Sequence, residues 1–396
     1  MKMKNLIVTL LILCSSLSMA QIAVKGGIIY TMDGKPVANG VILIKNGLIE
    51  AIGPASEITI PAGYTVYENK VVTPGLIDAR TVMGLSGLYN QPHDQDQLEK
   101  SDPFQPELRA FDAFNPQEEL LAYARQFGVT TINTGHAPGA LASGQMMIAK
   151  TWSPDQTANI MDSASYVAFT LGSSVSYIYK KPGTRAKGIS MLRQEFIRAQ
   201  DYLKKKDDAP RDLKMETMAS VLRGEIGALI TANTSVEILA ALRLAEEFGI
   251  KITLDGAAEA SVVLNEIKKA GVPVILHAPM ARSYGDLKNA SLETASLLKK
   301  EGISFAIQSG YEGYVPKTRI ILFEAAMAAA NGLGMEAALE SITIGAARIL
   351  GIDKKVGSIT KGRQADIVLF NGDPFEYTSK ACTVIIDGTV VSNECK

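Results

Sequence analysis

From Thr73 to about Leu350, short apolar runs alternate with longer amphipathic stretches, and this alternation constrains the fold more than any other property of the 396-residue chain. Buried strands are expected at Gly75 to Ala79, Val129 to Asn133, Met146 to Lys150, Tyr166 to Leu171, Ala228 to Ala232, Lys251 to Asp255, Val274 to His277 and Ser304 to Gln308. Helices are expected at Met191 to Lys206, Leu213 to Arg223, Val236 to Phe248, Ala260 to Ala270, Leu292 to Glu301 and Thr318 to Asn331. Strands joined by helical crossovers lie parallel, and this many repeats predict an α/β fold closed as a (β/α)8 TIM barrel. The chain enters it through Val71 to Val82, where an apolar run meets the Pro74-Gly75 bend, a short strand and a polar tip.

The flanks read differently. Between residues 22 and 70, Gly26-Gly27, Asp33-Gly34, Asn39-Gly40 and Asn46-Gly47 punctuate short apolar pieces, and Ala365 to Phe370 leads into a hairpin around Asp387-Gly388. Two strand-rich ends predict a small β-sandwich domain from residues 21–72 and 351–396, with the barrel over 73–350. The polar insertion Tyr89 to Gln117 follows the first barrel strand, so it belongs at the barrel's C-terminal face as a lid or a partner surface.

Residues 1–20 carry Lys2 and Lys4, an apolar Leu6 to Leu13 and small residues before Gln21, the pattern of a signal peptide. The apolar run is too short to span a bilayer, and Leu13 before Cys14 argues against a lipoprotein site. A periplasmic protein is expected. Cys382 and Cys395 then remain, flanking the last hairpin, and in an oxidising compartment they either close a disulfide or stay free. Forty basic and 41 acidic residues leave a net charge of -1 and no basic patch for nucleic acid.

Val71 to Val82 resembles the entry strand of the amidohydrolase superfamily, whose signature ends in Asp-Ala-His-x-His. Gly357 to Pro374 resembles the family's closing segment, and Val221 to Glu225 and Leu239 to Gly249 resemble its imidazolonepropionase-like and periplasmic dipeptidase-like branch. The resemblance implies a barrel enzyme that cleaves carbon–nitrogen bonds with Zn²⁺ or Fe²⁺, held by histidines at strands one, five and six, with an aspartate after strand eight as proton acceptor. The ligand positions are altered here. Arg80 and Val82 replace the paired histidines, Asn233 and Gly256 stand at strands five and six, and Gly310 or Ser309 stands where the aspartate belongs. With only three histidines in the chain, no shift of alignment restores the set.

The expectation is therefore a pseudoenzyme without cofactor. It binds a small molecule or supports an active paralogue, as a homo-oligomer or a heteromer. The alternative is a hydrolase of amide or other carbon–nitrogen bonds with an atypical site. No residue is assigned a catalytic role; the cleft candidates are His277, Asp255, Arg80, His136 and Asn233. His277 ends strand seven and His136 sits in the Gly135 to Gly139 loop, each either a cleft contact or a satisfied structural histidine. Arg80 either fills the emptied site by pairing with Asp78, Asp255 or Glu259, or clamps a substrate carboxylate. His93, beside Asp94 and Asp96, most simply faces water.

Overall fold

The computed structural model describes residues 21–395 apart from 90, 156, 158, 205–209 and 312–319. The signal-peptide reading thus lies outside the described residues, as do the end of the helix expected to reach Lys206 and the start of that expected from Thr318.

Three sheets form. The first joins both ends of the chain: β1 (Ile22–Ile29), β2 (Val37–Lys45), β3 (Leu48–Pro54) and β4 (Thr65–Pro74) from the start, with later strands from the end. Four strands follow in the second sheet, β5 (Leu76–Thr81), β6 (Val129–Thr134), β8 (Met147–Lys150) and β9 (Ile160–Asp162), with β7 (Ala142–Gln145) preceding β8 in the chain. The third runs β14-β13-β12-β11-β10-β7, where β10 is Tyr166–Thr170, β11 Gly227–Ala232, β12 Ile252–Gly256, β13 Val274–Leu276 and β14 Phe305–Ile307. β15 (Ile367–Phe370), β16 (Ala381–Ile386) and β17 (Thr389–Ser392) complete the first sheet.

Both ends of the chain join in that first sheet, ordered β17-β16-β15-β4-β1-β2-β3, and it curls so that Ile44 and Ile49 share one core with Ile367, Leu369 and Ile385. The ends meet through the pairing of β4 with β15, Val72 opposite Leu369, which fuses the two terminal halves into a single ladder. The hairpin β16–β17 turns at Asp387-Gly388 as expected, and Cys382 and Cys395 are disulfide-bonded.

The central strands keep the order expected of a barrel, with two departures. Strands β5, β6 and β10 to β14 alternate between a core facing the helices (Leu76, Ile132, Ile230, Leu254) and an inner core (Ile77, Ala79, Leu229, Ile275, Ala306), so both faces are buried. Residues 142–150 do not run parallel: β8 pairs antiparallel with β6, and β7 antiparallel with β10. Only Gly135 to Leu141 separates β6 from β7, too little chain for a helical crossover, which takes about a dozen residues. Secondly, β5 and β14 lie in separate sheets. The Ile77 amide donates instead to the Ile342 carbonyl at 2.8 Å, and the seam is bridged from β14's end by Ser309, whose amide donates to Asp78 Oδ1 at 3.2 Å.

Gly75 is where the two layers meet. Its amide donates to the Asp366 carbonyl, the next amide to that of Gly128, and a Cβ here would come within 2.2 Å of Thr130 Oγ1. Only glycine fits so close a crossing. The insertion after β5 is stitched down: Ala137 donates to Gln97, Gln105 to Ala142, Gln145 to Leu108, and Tyr179 Oη to Glu99 at 2.7 Å. His93 lies on its exposed turn Pro92–Asp94.

Candidate functional site

The C-terminal ends of the central strands bring Asp78 and Arg80 (β5), Thr231 (β11), Asp255 (β12) and Gln308–Ser309 (after β14) together. Asp78, Arg80 and Asp255 are fully buried. Arg80 Nε lies 3.8 Å from Asp255 Oδ2, Nη1 donates to the Thr81 carbonyl at 3.4 Å, and Nη2 donates to the carbonyl of His136. Asp255 also accepts from Thr231 Oγ1 and from Gln308 Nε2 at 2.7 Å; Gln308 donates on to the Ile275 carbonyl. Asp78 accepts from the Arg80 amide, the Ser309 amide and the Ser309 hydroxyl. The guanidinium thus meets one carboxylate and two carbonyls, while the second carboxylate, Asp78, is held by the Arg80 backbone amide and Ser309.

Burial sets the electrostatics of this cluster. It pushes the Asp78 carboxyl up to about 6, against the opposing pull of Ser309 and Arg80. Burial likewise lowers Arg80 from its ordinary value, opposed by Asp255 and others, and a guanidinium keeps its charge regardless. His136 is driven down to about 4 by burial first and by Arg80 second, so its imidazole is neutral; neither ring nitrogen has a hydrogen-bond partner among the described residues.

Above this sealed layer opens a cavity of about 570 Å³. Thr231, Asn233, His277, Gln308, Gly310 and Tyr311 form its inner wall, and Tyr177, Tyr284 and Asp286 its mouth. Tyr311 also lies over the Arg80 guanidinium, 5.5 Å from ring centre to Cζ. The sequence candidates therefore separate into two groups. His277 and Asn233 face the cavity, whereas Arg80, Asp255 and His136 lie beneath it and are not among its lining residues. A clamp on a substrate carboxylate is excluded for Arg80, because the buried guanidinium presents no surface to a ligand; it fills the site and pairs with Asp255. Glu259, another suggested partner of Arg80, instead accepts from the Ser235 amide and from Asn289. Among its described residues, the insertion 89–117 contributes none to the lining of this cavity.

Sequence reading missed Thr231, Gln308, Tyr311 and Asp286. Thr231 and Gln308 lie at the ends of strands that were located within a residue or two and Tyr311 lies in the loop just beyond β14, and that position alone was the available signal. Asp286 lies far along the loop after β13, where nothing in its neighbours marks it; it accepts from both the Ser173 amide and hydroxyl at 2.8 and 2.7 Å.

The donor set does not suit a divalent metal. Among the described residues no three His, Cys, Asp or Glu side chains gather closely enough to hold an ion. Both buried carboxylates are already engaged, Asp78 by Ser309 and the Arg80 amide and Asp255 by Thr231 and Gln308, and a fixed positive charge lies beside Asp255. Gly256 cannot simply regain a ligand: its φ is +83°, and a Cβ there would stand 2.3 Å from Asn233 Oδ1.

Comparison with known proteins agrees with this architecture. The model of the Amidohydrolase family matches residues 231–391. The amidohydrolase tasK of Hapsidospora irregularis is 26% identical over 88% of this chain, which spans 39% of that protein. An imidazolonepropionase of Shewanella frigidimarina (strain NCIMB 400) is 34% identical over 27% of this chain and 26% of its own length. The crystal structure of an amidohydrolase from Thermotoga maritima MSB8 superposes with a TM-score of 0.89 at 27% identity, covering 94% of this chain and 100% of that one. With the entry strand, the order of the central strands and the sheet shared by both termini all in place, the chain belongs to the amidohydrolase superfamily.

Proposed function

We propose that this protein is a metal-independent amidohydrolase-fold protein that holds a small molecule in the cleft above Arg80 and does not hydrolyse it. The observation that carries this reading is the fully buried Arg80, paired with Asp255 and bonded to the His136 carbonyl at the strand ends where such folds assemble their chemistry. Metal-activated water is the nucleophile of a metallohydrolase, and a positive side chain in that position removes both the ion and the hydroxide it would generate. The reading extends to location. The N-terminal pattern of residues 1–20 and the Cys382–Cys395 bridge favour export to an oxidising compartment such as the periplasm.

A second reading has one observation in its favour. His277 ends a central strand and lines the cavity, its Nδ1 within 3.0 Å of the Ala278 carbonyl, the place from which an imidazole acts as a general base on a bound amide. One assay separates the two. Purified protein is incubated with N-acyl amides, dipeptides and cyclic amides, with and without added Zn²⁺, and with the His277→Ala variant alongside. The expected outcome is release at the background rate under every condition. Metal-independent turnover abolished by His277→Ala would establish the second reading, and Zn²⁺-stimulated turnover would overturn the first.

A further inference from the structure

A second cavity, of about 590 Å³, adjoins the cleft between the helices Arg185–Tyr202 and Ser235–Phe248. Each helix presents an apolar stripe to it: Ala186 and Ile189, three residues apart, on the first, and Val236 and Ala240, four apart, on the second. These side chains have surface to offer a ligand. Val236 is 58% exposed, Ala186 is exposed, and Ile189 and Ala240 are half-buried. The buried Leu171 and Val175 line the same groove.

The polar side chains along the groove are already engaged within the protein. Ser176 Oγ donates to the Pro182 carbonyl at 3.0 Å, Thr184 Oγ1 accepts from the Lys187 amide, and Thr170 Oγ1 accepts from the Gly139 amide. Arg185 Nε pairs with Glu237 at 3.0 Å, and Asp286 and Glu259 act on the same guanidinium from further off. What the groove leaves for a ligand to cover is chiefly hydrocarbon, and burying hydrocarbon needs no partner group. The groove also borders the cleft: Thr170, Gly172 and Ser173 line both cavities. At this shared edge Gly172 carries no side chain, and the Ser173 hydroxyl is bonded back to Asp286 at 2.7 Å.

We infer that this groove takes the apolar chain of a molecule whose polar head sits in the cleft, so that the protein recognises an amphiphile: a compact polar head carrying an unbranched hydrocarbon chain. The chain crosses at Gly172 and Ser173 and lies between the stripes of the two helices. From Val236 to Ala240 the helix rises about 6 Å, the reach of about five methylene groups. This inference rests on the reading of the cleft as a binding site that does not hydrolyse its ligand.

Uncharged probes that differ only in chain length test it: butanamide, hexanamide, octanamide and decanamide. Affinity and position are followed by NMR of protein labelled at its isoleucine and valine methyl groups, on the wild type, on Val236→Ser and on Ala240→Gln. Val236 is exposed and Ala240 half-buried on a helix surface, so both variants retain the fold. The expected result is octanamide binding at least about tenfold tighter than butanamide, since a fully buried methylene is worth up to about fourfold. The gain levels off at decanamide, and the Ile189 and Val236 methyl signals move with octanamide while staying in place with butanamide. Val236→Ser removes apolar surface and Ala240→Gln sets a long polar side chain in the groove. Each lowers the octanamide-to-butanamide ratio at least about threefold and leaves butanamide unchanged. A ratio near one, a gain that survives Ala240→Gln, a rise that continues unabated to decanamide, no binding of any amide, or unmoved Ile189 and Val236 signals would each overturn the inference. The underlying reading fails by a different observable, release of ammonia from the amides, which leaves the chain-length ratio readable as a preference among substrates.

Discussion

Arg80 sets a permanent positive charge at the buried ends of the central strands. A guanidinium is planar, permanently charged and rich in donors, so it can satisfy a buried carboxylate and two carbonyls at once, which lysine could not do as well. Its two titratable neighbours act in opposite directions on stability. Folded Asp78 keeps its proton to about pH 6, well above an unfolded aspartate, so it contributes stability at low pH that is lost as pH rises through about 4 to 6. Folded His136 protonates only near 4, so it contributes stability present above about 6.5 that is lost as pH falls toward 4. Over one window the two slopes offset each other. In His136→Gln only the Asp78 slope remains, and stability measured by urea unfolding should fall by about 2 kcal/mol between pH 4 and 6, relative to the wild-type profile. In Asp78→Asn the slope should reverse. Parallel profiles for all three proteins would contradict the assignment.

At the scale of elements, the antiparallel strand between β6 and β10 ties the central strands to the terminal sheet. Lys150 at the end of β8 is buried and paired with Asp366, at the start of the β15 segment, and with Asp387, 3.4 Å away in the hairpin turn. Removing one partner of a buried ion pair strands the others, so Lys150→Ala should cost about 3–5 kcal/mol in chemical unfolding. A loss under about 1 kcal/mol would mean that water reaches the two carboxylates and that the junction is held by packing alone. Helices were the most legible elements. Val236 to Phe248 was expected and Ser235–Phe248 is found, started by a capping box of Thr234 and Glu237. The helix expected from Met191 begins earlier, at Arg185, because Thr184 caps it by accepting from the Lys187 amide. The antiparallel strand was legible only as a strand; its direction followed from the short Gly135 to Leu141 link, a length that periodicity does not weigh.

For the whole molecule, strand order and the contribution of both termini were written in apolar spacing and Gly-containing turns, whereas the single terminal sheet depends on the pairing of β4 with β15, residues almost 300 positions apart. The site divides in the same way. Arg80, Asn233 and Gly256 could be placed because each ends a recognisable strand, but which candidates face the cavity depends on packing: Arg80 and Asp255 seal the floor while His277 and Asn233 form the wall. Asp286 and Tyr177 reach the mouth from loop and helix, far from any motif. The fold is thus that of the amidohydrolase superfamily, with a guanidinium in the interior and a polar cleft above it. Its most direct test is the metal content of tag-free protein, measured by mass spectrometry after expression with Zn²⁺, Fe²⁺ and Mn²⁺ supplied. Less than about a tenth of an equivalent of any of them is the expected result for a donor set this poor; close to one equivalent, lost on replacing His277, would contradict the metal-free site.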